Sequence, residues 1–182
     1  STDIIHNKVW ENRESQYKTI VSKYTKEEFQ NLVKILTLLV NLFNERIYDY
    51  LGYIYMKCEM GNSRTGQFFT PFNLSELTAK LSIDNIEKIK QTNDIITLNE
   101  PACGGGGLIL AYLKILKDNN INYQKRIKII AQDLDFRSVY MTYIQLSLVG
   151  ARAKVVQGDT LTKPDIKDEN CIFYTPMWKG LL

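Results

Sequence analysis

The stretch Asn99-Glu100-Pro101-Ala102-Cys103-Gly104-Gly105-Gly106-Gly107 constrains this chain more than any other. It follows an apolar run, Ile95-Ile96-Thr97-Leu98, and precedes a helix-like run, Leu108-Ile109-Leu110-Ala111-Tyr112-Leu113. Consecutive glycines permit positive φ and let a ligand approach the backbone closely. An acidic residue at a strand end, then a glycine loop, then a helix is the layout of a nucleotide-binding turn in an α/β domain.

The rest of the C-terminal two thirds repeats that alternation. Four strand-like runs occur, Ile95–Asn99, Ile127–Gln132, Ala153–Gln157 and Cys171–Thr175. Helical stretches at 108–118 and 136–149 separate the first three, Gly150 marks the stop of the second stretch, and a short linker, 160–170, joins the last two. Strands alternating with helices predict a parallel sheet with right-handed crossovers.

The N-terminal third reads differently. Residues 1–24 are polar with scattered aromatics, as in an arm or short helix. Thr25-Lys26-Glu27-Glu28 is a capping box and predicts a helix start. Apolar residues then recur at helical spacing to about Met60, including Leu32, Val33, Leu36, Leu39, Val40 and Phe43. The stripe is wide, which predicts a helix buried on more than one side and broken near Gly52. Residues 61–72 read as a loop, and Pro71 opens a helix over about Leu74–Leu81. The expected organisation is a helical region, 1–60, and a cofactor-binding core, 61–182.

Composition narrows the class. With 45% hydrophobic residues in 182, the chain can build a core and is not disordered. A net charge of +3 neither demands nor excludes a nucleic-acid partner. Cys58, Cys103 and Cys171 are odd in number, widely spaced and free of any C-x-x-C, against both a disulfide framework and a structural zinc. No metal site is expected. The N-terminal residues lack a signal-peptide pattern, and Ile35–Phe43 is too short to span a bilayer. The expectation is a soluble cytoplasmic protein with no membrane partner.

In a parallel sheet the strand ends point one way, and ligands bind outside them. The four runs end in Glu100-Pro101-Ala102-Cys103-Gly104, in Gln132-Asp133-Leu134-Asp135, in Gly158-Asp159-Thr160 and in Thr175-Pro176-Met177-Trp178. Three acidic residues and an aromatic are thus expected to line one crevice. Cys103 reads as a small loop residue rather than a nucleophile, since the only histidine is His6.

These motifs resemble those of the S-adenosylmethionine-dependent N6-adenine DNA methyltransferases, most closely the modification subunits of type I restriction systems. The family's cofactor motif, D/N-P-A-C-G-S-G-G, is matched by Pro101 to Gly107, with Glu100 for the acid and Gly105 for the serine. Its upstream G-Q-F/Y-F/Y-T-P is matched by Gly66-Gln67-Phe68-Phe69-Thr70-Pro71. Asp133-Leu134 resembles the ribose-binding segment, and Gly158-Asp159-Thr160-Leu161 matches G-D-T/S-L. The resemblance covers about residues 60–178. It implies a Rossmann-like α/β methyltransferase core, here of about four parallel strands against the family's seven, and so apparently truncated, behind an N-terminal helical region.

The resemblance also implies roles. Phe69, Thr70 and Pro71 hold the methionine end of S-adenosylmethionine. Glu100 and the backbone from Pro101 through Ala102 and Cys103 to Gly104 hold its amino and carboxylate groups. Asp133 accepts from the ribose hydroxyls, Leu134 packs on the adenine ring, and Asp159, followed by Thr160, bonds the adenine amine. The implied partner is DNA. The family's catalytic D/N-P-P-F/Y/W falls at Thr175-Pro176-Met177-Trp178, so Thr175, Pro176 and Trp178 are the implied target pocket, with the aromatic stacking on a flipped base.

That last motif departs from the family. Thr175 offers a shorter, weaker acceptor than an amide, and Met177 lacks the rigidity of a second proline. A second reading therefore stands beside the first: a catalytically impaired cofactor-binding, DNA-binding or assembly module. A fourth strand left as a bare edge predicts a cover, either the N-terminal helices, a protein partner or a second copy.

Overall fold

The computed structural model describes residues 8–58, 69–83 and 86–179; the motif residues Gly66, Gln67 and Phe68 lie outside them. The chain divides into two compact units, residues 1–42 and 43–182.

The first unit contains helix α1 (Lys8–Val21) and most of helix α2 (Lys26–Glu45). The capping box forms as expected. The Thr25 N–H donates to Glu28 Oε2 at 2.8 Å, and the Glu28 N–H returns to Thr25 Oγ1 at 3.2 Å. The wide apolar stripe is not buried on more than one side. Leu32, Val33, Leu36 and Val40 are exposed, while Leu39 and Phe43 are buried. Only the last turn of α2, from Phe43, belongs to the core of the second unit.

In the second unit the helix break falls at Arg46–Asp49, ahead of Gly52, and α3 runs Tyr50–Lys57. Asp49 causes the restart: as N-cap it accepts the Gly52 N–H at 2.9 Å. The later elements are α4 (Phe72–Ser82), α5 (Ile86–Gln91), β1 (Ile96–Glu100), α6 (Gly107–Asp118), α7 (Tyr123–Arg126), β2 (Ile127–Asp133), α8 (Phe136–Leu148), β3 (Arg152–Gln157) and β4 (Ile172–Tyr174). The strand and helix bounds differ from the sequence expectation by one or two residues. The short helices α5 and α7 were not anticipated, because four to six residues are too few to show a period.

The sheet has the order β1-β2-β3-β4. Strands β1, β2 and β3 are parallel, in a register that aligns Glu100 with Ala131 and Asp133 with Gln157. This βαβαβ half-sheet is the expected Rossmann-like core. Its central layer, Ile127, Ile129, Ala131, Ala153 and Val155, packs with Ile109, Leu110, Leu113 and Leu116 of α6 and Val139 and Leu146 of α8 in one buried cluster.

The fourth strand corrects the expectation of four parallel strands. It runs antiparallel to β3, pairing Tyr174 with Lys154 and Ile172 with Val156. A parallel return needs a crossover that carries the chain back along the sheet, usually an α-helix. Residues 158–171 contain no α-helix, so the chain turns back along the neighbouring edge.

Candidate functional site

The C-terminal ends of the three parallel strands lie at one end of the sheet but do not line one crevice: Glu100 and the glycine loop line one cavity, and Leu134, Gly158 and Asp159 line another. Gly104 and Gly106 have φ of 52° and 92°, where a side chain would be strained, so the tight turn into α6 requires glycine. Four hydrogen bonds fix the loop. The Cys103 N–H donates to Gln132 O at 2.8 Å, and the Gly104 N–H to Asp133 Oδ2 at 2.9 Å. Thr142 Oγ1 donates to Gly104 O at 2.9 Å, and Gln145 Nε2 to Gly105 O at 2.7 Å.

Six of the twelve residues expected to hold the cofactor meet at this loop. Phe69, Thr70, Glu100, Ala102, Cys103 and Gly104 line one cavity of about 300 Å³. Glu100 Oε1 accepts the Ala102 N–H at 3.2 Å, which folds the strand end into the loop. Phe69 lies so close to the loop that a Cβ on Gly104 would come within 3.1 Å of its ring. Pro71 sits with Phe69 and Thr70 on the wall of an adjoining cavity of about 560 Å³. Pro101 O accepts the Thr160 hydroxyl at 2.7 Å and so ties the β3 end to the glycine loop.

Asp133 joins this set through Gly104. Its Oδ2 holds that N–H and its Oδ1 accepts the Asp135 N–H at 2.9 Å, which leaves lone pairs on both oxygens. Leu134 and Asp159 line a third cavity, of about 640 Å³, with Gln157, Gly158 and Ile166. Leu134 is 67% exposed there. The Asp159 carboxyl is held below its ordinary range by bonds from the Thr162 side chain and the Leu161 N–H. Burial pushes the Cys103 thiol up to about 12, consistent with a loop residue rather than a nucleophile.

The residues expected to form the target pocket are not brought to this end of the sheet. Because β4 is antiparallel, its C-terminal end lies beside the beginning of β3, at the opposite end of the sheet from Glu100 and Asp133. Thr175 is 3% exposed. Its Oγ1 donates to Ala151 O at 2.6 Å and accepts the Ala153 N–H at 2.9 Å, so its hydroxyl is spent on the sheet edge. Pro176 opens a short 3-10 turn, Pro176–Lys179. Trp178 packs on Tyr174 at 5.3 Å between ring centroids, with Lys128 Nζ 4.8 Å from its ring. The direction of one strand decides this, and no motif encodes that direction.

Sequence reasoning also missed residues. Thr142 and Gln145, both fully buried on α8, hold the glycine loop from behind. Their signal was present: Ser138, Thr142 and Gln145 recur at spacings of four and three, a polar line on a helix face that is otherwise core. Asp49, 4% exposed, was missed as well. Its carboxyl is raised above the ordinary range by burial, and Gln145 Nε2 donates to it at 2.8 Å. Gly52 has to be glycine, since a Cβ there would fall inside the Asp49 carboxylate. Among the described residues no group of His, Cys, Asp or Glu is arranged to hold a metal ion.

A family model described as N-6 DNA Methylase matches residues 41–176. Type II methyltransferase M.BanIII of Aneurinibacillus aneurinilyticus is 32% identical over 112 residues, 60% of this chain and 19% of that protein. The type I restriction enzyme MpnII methylase subunit of Mycoplasma pneumoniae is 26% identical over 142 residues, 72% of this chain and 24% of that one. The chain therefore spans about a fifth to a quarter of the length of these curated relatives. Among solved structures, a class I S-adenosylmethionine-dependent methyltransferase from Listeria monocytogenes aligns with a TM-score of 0.43 at 14% identity, over 65% of this chain and 36% of that one. The family match runs from the end of α2 through every strand of the sheet, and the chain belongs to the N-6 DNA methylase family.

Proposed function

We propose that this chain binds S-adenosylmethionine beside the glycine loop and transfers its methyl group to adenine N6 in DNA. One observation carries the reading. Glu100, Phe69, Thr70 and the glycine loop meet in one cavity at the ends of parallel strands, with Asp133 tied to that loop. When bound, S-adenosylmethionine supplies a methyl group on a positively charged sulfur. The chain's own residues bind and orient. Asp133 offers its remaining lone pairs to ribose hydroxyls, and Glu100 offers a carboxylate to an ammonium group. The apolar faces of Phe69 and Leu134 exclude water.

A second reading is favoured by Thr175. With its hydroxyl committed to Ala151 and Ala153, residues 175–178 do not present an acceptor-amine pocket beside the cofactor. The chain would then contribute cofactor binding or subunit assembly, with the acceptor pocket contributed elsewhere in the working enzyme. DNA is the partner in both readings, in keeping with the family's description as N-6 DNA methylases. A cytoplasmic location accords with three free cysteines and with the absence, among the described residues, of any helix long and apolar enough to cross a membrane.

Calorimetric titration with S-adenosylmethionine, with Asp133→Ala alongside, tests the cofactor reading. A charged acceptor to a hydroxyl contributes roughly 1.5–3 kcal/mol, so the variant should bind at least about tenfold more weakly. Wild-type protein that takes up no cofactor sinks the reading. Transfer of labelled methyl to DNA then separates the two alternatives, since only the first predicts labelling by this chain alone.

A further inference from the structure

Two polar side chains from outside every motif reach the cavity that Glu100 and the glycine loop define. Asp49, ahead of α3, and Ser75, on α4, both line it. The Gly52 N–H and Gln145 Nε2 both donate to Asp49 Oδ1, at 2.9 and 2.8 Å. Oδ2 instead faces the start of α6, where a Cβ on Gly107 would stand 2.9 Å from it. Ser75 is 1% exposed and its Oγ has no hydrogen-bond partner. The same Cβ position on Gly107 is 3.5 Å from that Oγ. A carboxylate oxygen and an orphaned hydroxyl thus flank the first residue of a twelve-residue helix.

The chemistry of that arrangement is specific. A buried hydroxyl without a partner is unfavourable, and native proteins retain few of them. The N-terminus of α6 carries partial positive charge and first-turn N–H groups, which favour an anion. Asp49 and Glu100 favour a cation within the same cavity. An anion site and a cation site this close match the two ends of one zwitterion.

Resting on the cofactor reading above, we infer that Asp49 and Ser75 recognise the α-amino acid end of the bound nucleoside. Asp49 Oδ2 accepts from the ammonium, and Ser75 Oγ donates to the carboxylate beside the α6 N-terminus. Glu100, which lines the same cavity, shares the ammonium. The nucleoside end lies with Asp133 and is not read by either residue.

The test compares two ligands by calorimetry: S-adenosylhomocysteine, and methylthioadenosine, which keeps the nucleoside and thioether but lacks the amino acid. Wild type, Asp49→Asn and Ser75→Ala are titrated with each. Asn retains the N-cap and the Gln145 bond, and Ser→Ala keeps the helix, so the fold is preserved. Asp49→Asn is expected to bind S-adenosylhomocysteine roughly tenfold or more weakly, and Ser75→Ala several-fold more weakly. Methylthioadenosine affinity should change by less than about twofold in both. Equal losses for the two ligands would show a purely structural role and overturn the inference, as would unchanged S-adenosylhomocysteine binding. Should Asp49→Asn fail to fold, the ligand difference in Ser75→Ala decides alone. Wild-type protein that binds neither ligand overturns the cofactor reading itself, a separate outcome.

Discussion

Gln145 and Asp49 are 96 positions apart in the chain and 2.8 Å apart in space. The Gln145 amide serves three partners. Its Nε2 donates to Asp49 Oδ1 and to Gly105 O, and its Oε1 accepts the Leu51 N–H at 3.1 Å. One fully buried side chain thus joins α3, the glycine loop and α8. Replacing it with leucine conserves volume but strands all three partners. Gln145→Leu should lower the unfolding free energy by about 2–4 kcal/mol, read as a shift in urea midpoint. A loss within the range of a surface substitution, about 0.5 kcal/mol, would show that the network does not hold the loop.

Asp49 gives a pH dependence of defined sign. Burial holds its folded carboxyl above the ordinary value of 3.8. Between the unfolded and folded values the native state binds more protons, so stability from this group falls as pH rises through that window and stays at its lowest above it. Asp49→Asn removes the effect. The urea midpoint of the variant, measured relative to wild type, should therefore climb as pH is raised from about 4 and then level off. Glu28, Asp159 and Asp168, whose carboxyls are held low by hydrogen bonds, titrate in both proteins and cancel in the difference. A pH-independent difference contradicts this account.

Thr175 is expected to matter for folding and not for cofactor binding. Thr175→Val keeps the shape and strands Ala151 O and the Ala153 N–H. We expect a loss of about 1–3 kcal/mol, with S-adenosylmethionine affinity unchanged because the residue lies at the far end of the sheet. Weaker cofactor binding at constant stability would place Thr175 back at the site.

The cysteines should separate by alkylation rate. Cys58 is exposed, whereas Cys103 is buried with its thiol pushed up to about 12. The Cys103 thiol therefore stays protonated at pH 8, and the thiolate is the reactive form. Mass spectrometry after brief iodoacetamide treatment should find Cys58 modified and Cys103 intact. Early modification of Cys103 would mean that the loop opens.

Local signals in the chain predicted what local physics controls. Thr25 and Glu28 mark their helix start because a capping box is a bond between near neighbours. The run from Asn99 to Gly107 predicts strand, turn and helix because four glycines allow the positive φ that the turn uses. Three strands alternating with helices predict their own parallel order, since a helical crossover leaves one arrangement.

The sequence by itself therefore determined the half-sheet, the glycine loop and the convergence of Glu100, Phe69 and Thr70. Tertiary structure decided the rest, because each remaining feature depends on groups distant along the chain. The direction of β4 follows from a connection that lacks a helix, and it moves Thr175 and Trp178 to the far end of the sheet. The clamp of Asp49 and Gln145 on the loop depends on three elements packing together, and a buried amide shows its partners only once they surround it.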